Sequence, residues 1–219
     1  MSEQSSTARV SRDLEAITTP ADRRLVEAVR AGDARTAAPL YAALRPSIER
    51  ALYRVLRGRP PEFDDLMQTT YERVLSTTAR GHFEGRSQLK TWASSIAAHT
   101  AVDHIRSRGY EQKLRSALEW TQVDPLSSNR APERQLEARS EMRKVQGVLR
   151  RMKRRQATML VMHDALGHSV PDVAQLLGMN LAAARSTLRR ARLEFARRYT
   201  LTSPPATGEG VFVPPPVEG

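Results

Sequence analysis

Ser169-Val-Pro-Asp-Val-Ala-Gln-Leu-Leu-Gly-Met-Asn-Leu-Ala-Ala-Ala-Arg-Ser-Thr-Leu-Arg-Arg-Ala-Arg192 decides the fold. It reads as a short helix, a glycine turn and a second helix loaded with arginine. That is the order of a helix-turn-helix, whose second helix enters the major groove of DNA. Ser169 with Asp172 three residues on fits a capping box, and Pro171 suits a first helical turn. Val173, Leu176 and Leu177 make an apolar face. Gly178 stops the helix, because glycine tolerates the left-handed conformation of a tight stop. Asn180 is a candidate cap for the second helix. There Leu181, Ala184, Leu188 and Phe195 keep helical spacing and are expected to face inward. Arg185, Ser186, Arg189, Arg190 and Arg192 are left for DNA, with 185, 189 and 192 on one side.

Outward from this motif nearly every segment reads as helix. Alanine, leucine, arginine and glutamate dominate, and β-type alternation is absent. Residues 21–57 predict two helices broken near Gly32-Asp33, followed by a stop at Gly58-Arg59-Pro60-Pro61. Further helices are expected over 63–79, 89–108, 132–152 and 153–166. The expectation is an all-α protein of two small helical domains, the second carrying the helix-turn-helix. The domains are placed at 21–108 and 132–199. A flexible N-terminal segment spans 1–20, a linker 109–131, and a Pro-rich disordered tail 200–219.

The 35 Lys and Arg residues against 24 Asp and Glu give a net charge of +11, which favours a polyanionic partner. Residues 110–219 carry 18 basic and 11 acidic side chains, so the second domain is the more basic. There is no cysteine, which excludes disulfides and thiolate metal sites. No apolar run approaches the ~20 residues of a membrane span, and the polar N-terminus lacks a signal-peptide core. A cytoplasmic, cofactor-free protein is the expectation.

Three constellations bear on function. Arg150-Arg151-Met-Lys153-Arg154-Arg155 packs five cations into six residues, a pattern suited to phosphate. Phe83-Glu-Gly85-Arg86-Ser87-Gln-Leu-Lys-Thr-Trp92 places two aromatics around a polar glycine loop, and His99 and Arg106 follow on the Trp92 side of the next helix. Aromatic faces stack on unpaired bases, and loop backbone groups bond a flipped base. The plain alternative makes Phe83 and Trp92 core residues. Asp64-Asp65-Leu-Met-Gln68-Thr-Thr-Tyr71-Glu72 sets Asp65, Gln68 and Glu72 on an outer, partner-binding face. Asp65 and Gln68 alternatively form a helix-start capping box. His99, Asp103 and His104 admit a third reading, a metal pair in a nucleic-acid enzyme, which no second ligand cluster supports.

Taken in this order, Val29-Arg-Ala-Gly-Asp33, Phe63-Asp-Asp-Leu-Met-Gln68, the loop from Phe83 to Trp92, the 96–106 helix and the helix-turn-helix resemble the extracytoplasmic-function (ECF) sigma factors of bacterial RNA polymerase. The resemblance covers residues 25–198. It implies that the first domain is region 2, which binds the polymerase β′ clamp helices and opens the −10 element. Asp64, Asp65, Gln68 and Glu72 would face the clamp. Phe83, Gly85, Arg86, Ser87, Trp92, His99 and Arg106 would hold the melted strand. It implies that the second domain is region 4, which docks on the β flap and reads the −35 element through Arg154, Arg155, Asn180, Arg185, Ser186, Arg189, Arg190 and Arg192. An anti-sigma partner and a monomeric state outside the holoenzyme are also implied.

The chain departs from the family pattern in places. His99 stands where Asn is usual. Ala182-Ala183-Ala184-Arg185-Ser186-Thr187 replaces Gly-Thr-Val-Lys-Ser-Arg, which points to an altered promoter preference. A stand-alone helix-turn-helix regulator of duplex DNA is the competing reading.

Overall fold

Thr19 opens the first helix of this computed structural model, which describes residues 19–118 and 133–202, with side chains at 19–109 and 140–202. Its hydroxyl accepts from Asp22 N at 3.1 Å, and Pro20 occupies the first turn, where its missing N–H costs nothing. Helix α1 (Pro20–Arg30) ends at Gly32, whose φ is +76°. After a short 3-10 turn at Ala34–Thr36 comes α2 (Ala37–Leu56). The break expected near Gly32-Asp33 is therefore present. Helix α3 (Phe63–Ala79) and α4 (Leu89–Leu118) complete the first unit.

Among the described residues all regular structure is helical. Helices α2, α3 and α4 pack on one another. Leu40, Leu44, Ile48 and Leu52 are fully buried on α2, and α4 meets them with Leu89, Ala93, Ala97, Ala101 and Val102, also buried. Each buried leucine contributes about 1.5–3 kcal/mol.

The second unit holds α5 (Glu133–Arg151), α6 (Arg154–Leu160), a π turn at Val161–Ala165, α7 (Val170–Leu176) and α8 (Leu181–Thr202). Val148, Met152, Met159, Met162, Val173 and Leu188 form its interior. The flexible methionines fill gaps between short helices. Helix α4 also packs against α5 and α6, so the two units touch.

Three expectations need correction. Residues 109–118, expected to open the linker, instead continue α4 to Leu118. The run after Gly109 (Tyr-Glu-Gln-Lys-Leu-Arg-Ser-Ala-Leu) is rich in helix formers, and one glycine costs only about 1 kcal/mol in a helix. Residues 200–202, expected to open the tail, instead continue α8 to Thr202. Leu181 does not face inward: it lies in the first turn of α8 and is 38% exposed. The expected segments at 1–18, 119–131 and 203–219 lie outside the described residues.

Candidate nucleic-acid interface

The turn of the helix-turn-helix is built as its residues dictate. Ser169 Oγ accepts from Asp172 N at 3.2 Å and donates to the Asp172 carboxylate at 2.6 Å. Gly178 takes φ +61°, and Met179 N closes the stop on Ala174 O at 2.8 Å. Asn180 Oδ1 accepts from Ala183 N at 2.7 Å and so caps α8. Val173, Ala174, Ala184, Leu188 and Ala191 are buried between the two helices and their neighbours. Phe195 is half-buried and stacks on Tyr199 at 5.8 Å.

This leaves Arg185, Ser186 and Arg189 exposed on the first three turns of α8, with no side-chain bond among the described residues. Arg190 is exposed too and bonds only its own helix, at Ser186 O, 3.4 Å. The other predicted −35 residues are committed elsewhere. Arg192 grips Asp164 of the π turn through two bonds of 2.5 and 3.1 Å. Asp164 raises the Arg192 pKa further. Arg192 thus fastens α8 to its own unit and is withdrawn from the reading face. Arg155 Nη2 donates to Leu177 O at 2.8 Å and satisfies a carbonyl at the end of α7. Asn180 uses its side-chain oxygen as the cap.

The predicted −10 residues divide in the same way. Phe83 is 4% exposed, and its ring meets Trp92 at 5.1 Å. Arg30 Nη2 donates to the Phe83 carbonyl at 2.5 Å, which pins the loop to α1. Phe83 is therefore a core wedge with no face open to stack a base. Ser87 is buried as well, and Gly85 takes φ +72° in the bend between them. Arg86 is exposed and pairs with Glu84. Trp92 is half-buried. His99 Nδ1 donates to Ser95 O at 2.9 Å, and burial pushes its pKa down, so the ring is neutral near pH 7 with Nε2 left as an acceptor. The site thus offers an acceptor where Asn supplies both a donor and an acceptor.

Arg106 and Arg154 bind across the two units. Arg106 Nη1 donates to Arg150 O at 3.1 Å and Met152 O at 2.6 Å, capping the end of α5. Arg154 donates to the Asp103 carboxylate through Nε at 2.6 Å and Nη2 at 2.8 Å, and Arg73 adds a bond of 3.4 Å. Partial burial opposes ionisation of Asp103, but the Arg154 and Arg73 guanidiniums outweigh it and hold the pKa below its ordinary value. Both oxygens of Asp103 are thus taken by cations, which argues against the metal-pair reading of His99, Asp103 and His104. Ser94 donates to Thr91 O, so His168 Nε2 donates to Ser94 Oγ, at 2.9 Å. Gly109 passes so close to Arg150 that a Cβ there would lie 1.8 Å from Arg150 Cδ.

On α3, Asp64, Asp65, Gln68 and Glu72 are all exposed on the outer face. The helix starts behind Glu62 without a side-chain cap, so the capping-box alternative does not form. Asp64 and Asp65 instead lie in the first turn, where the helix dipole favours anions. Gln68 Nε2 donates to Glu72 Oε1 at 2.9 Å. Asp64 and Gln68 line a groove of about 370 Å³ whose other walls include Tyr41, Arg45, Arg59 and Tyr71. Tyr41, Arg45 and Arg59 escaped sequence reading because they come from α2 and the loop after it, whereas Tyr71 lies on α3 itself.

Residues 40–110 match the sigma-70 region 2 family, and residues 142–195 match sigma-70 region 4. Together the matches cover more than half of the chain, one in each helical unit. Similar proteins include the ECF RNA polymerase sigma factor SigX of Bacillus subtilis (strain 168), 25% identical over 73% of this chain and 81% of its own length. The ECF RNA polymerase sigma factor SigK of Mycolicibacterium vanbaalenii is 29% identical over 75% of this chain and 82% of its own length. A solved structure of CnrH in complex with the cytosolic domain of CnrY matches with 21% identity and a TM-score of 0.47, covering 84% of this chain and 99% of that one. With region 2 and region 4 in family order on two helical units, the chain belongs to the sigma-70 family as a sigma factor of the extracytoplasmic-function group.

Proposed function

We propose a division of labour among the surfaces of this sigma factor, which directs core RNA polymerase to promoters. Arg185, Ser186 and Arg189 read the −35 element, with Arg190 on a flanking phosphate. Arginine pairs with guanine edges in the major groove, and each such pair is worth about 1–3 kcal/mol of discrimination. The observation that carries this assignment is the freedom of Arg185, Ser186 and Arg189, whose side chains stay exposed on α8 with no bond among the described residues while Arg192 and Arg155 are tied to their own unit.

Trp92, His99, Arg86 and the backbone around Gly85 hold the melted −10 strand, with Phe83 as the wedge that shapes the loop. Asp64 and Gln68, in the groove between α2 and α3, take the β′ clamp helices, with Asp65 and Glu72 at its edge. Arg106 and Arg154 exchange their present carbonyl and carboxylate partners for phosphates when promoter DNA separates the two units. The chain has no catalytic role of its own and works in the cytoplasm with polymerase. It is monomeric outside the holoenzyme, and the family resemblance adds an anti-sigma antagonist as a further partner.

Run-off transcription with core polymerase on genomic fragments tests this reading. Discrete starts that depend on the added chain are expected. Their absence, together with tight polymerase-independent binding to a palindrome, would favour a stand-alone regulator.

A further inference from the structure

The C-terminal half of α2 carries a charged face that no surface described above uses. Arg50, Tyr53 and Arg54 fall at i, i+3 and i+4, within an arc of about 100° on the helix, and Arg57 follows just past its end in a left-handed cap with φ +57°. All three arginines are exposed, and none has a hydrogen bond or ion pair from its side chain among the described residues. Tyr53 is 53% exposed, and its ring meets no other ring or guanidinium there. Arg30, Arg73, Arg106, Arg154 and Arg192 are all bonded, so Arg50, Arg54 and Arg57 share their freedom with the exposed Arg185 and Arg189 of the helix-turn-helix. The nearby carboxylate of Glu49 is already taken by Arg59 and Arg45. The stripe therefore keeps its full charge. The buried side of the same turns (Ala51, Leu52, Val55, Leu56) holds the backbone rigid beneath it.

We propose that Arg50, Tyr53, Arg54 and Arg57 form a second contact for single-stranded promoter DNA, separate from the Trp92 surface. Three unpaired guanidiniums suit phosphates. An exposed ring among them is a platform on which an unstacked base lies, and stacking of this kind tolerates any base. The stripe is about 10 Å long, the length of about three nucleotides at the 3.4 Å duplex spacing and of fewer in an extended single strand. Duplex DNA offers the phosphates but hides the base faces, so the tyrosine selects for a melted strand. The assignment rests on the promoter-opening function, because melting supplies the strand.

The test uses the full chain and a fluorescein-labelled 15-nucleotide single strand, with the matching duplex as control, read by anisotropy across a KCl series. The triple variant Arg50→Gln, Arg54→Gln, Arg57→Gln is expected to bind the single strand at least tenfold more weakly. Its log–log salt slope should be shallower by about 2, at about 0.7 per lost contact. Tyr53→Ala is expected to lose about tenfold on the single strand and little on the duplex, and Tyr53→Phe should match the parent. Unchanged affinity in the triple variant, no single-strand binding by the parent, or an equal Tyr53→Ala loss on both probes overturns the proposal.

A photo-crosslinking amino acid in place of Tyr53, in holoenzyme on a premelted promoter, should tag the DNA strand. A crosslink only to a polymerase subunit overturns the proposal in favour of a protein contact. Run-off transcription by the parent separates the two readings. Initiation with unaltered single-strand binding by the variants removes this contact alone, whereas no initiation removes the sigma function beneath it.

Discussion

Removing the Asp103 carboxylate should loosen the contact between the two helical units. Arg154 gives it two charge-assisted bonds of 2.6 and 2.8 Å, and Arg73 a longer one of 3.4 Å. Bonds to charged groups are worth about 1.5–3 kcal/mol each when dry. Here the Arg154 and Asp103 side chains are 54% and 32% exposed, so solvent screens the pair. Exposed pairs give about 0.2–1 kcal/mol, and two-bond geometry places this one near the top of that range, at about 1 kcal/mol. A double-mutant cycle of Asp103→Ala and Arg154→Ala, read by urea unfolding of the full chain, should return that coupling.

The coupling should shrink in 1 M salt, where the Debye length is about 3 Å. Its pH dependence follows from the depressed Asp103 pKa. The contribution is complete above the unfolded carboxyl pKa of about 3.9 and disappears as pH falls through the lower folded value. It should therefore be flat from pH 6 to 8. A coupling below about 0.2 kcal/mol at low salt, or one that grows on acidification, would refute this account. Asp103→Ala should also raise the affinity of the free chain for duplex DNA, because it releases Arg154.

Leu52→Ala, at a fully buried site between α2 and α4, should cost about 2–5 kcal/mol and lower the melting temperature in calorimetry. Arg185→Ala should leave the melting temperature unchanged and cut run-off transcription by about tenfold or more, whereas Arg192→Ala should lower the melting temperature through loss of Asp164. Gly178→Ala forces a side chain into φ +61° and should destabilise by about 1–2 kcal/mol in urea titration. Ser169→Ala should cost about 1 kcal/mol by the same measurement, through loss of the α7 cap.

Local chemistry was readable from the chain, and long-range partnership was not. The Ser169 cap, the Gly178 stop and the Asn180 cap each follow from residues within four positions, and all three are present. Helical spacing likewise set Arg185, Ser186 and Arg189 outward. Spacing names a face but not what meets it. Arg192 shares its side with Arg185 and Arg189, yet Asp164, 28 residues earlier, claims it. Arg106 reaches carbonyls 44 and 46 residues away. The sequence around Phe83 suits both a stacking and a core role, and its burial selects the second. The groove beside Asp64 and Gln68 depends on how α2 meets α3, which no local pattern encodes.

The π turn at Val161–Ala165 has a consequence for how this region tolerates length changes. A single-turn π segment amounts to one residue inserted into an α-helix. Each residue advances an α-helix by about 100°, so deleting one here would restore regular winding and swing the following positions by that angle. Asp164 would turn away from Arg192, and His163 would lose the His168 carbonyl it now holds at 2.7 Å. The extra residue thus phases the helix-turn-helix against the helix that carries it, so this short stretch should accept changes of residue type far more readily than a change in length.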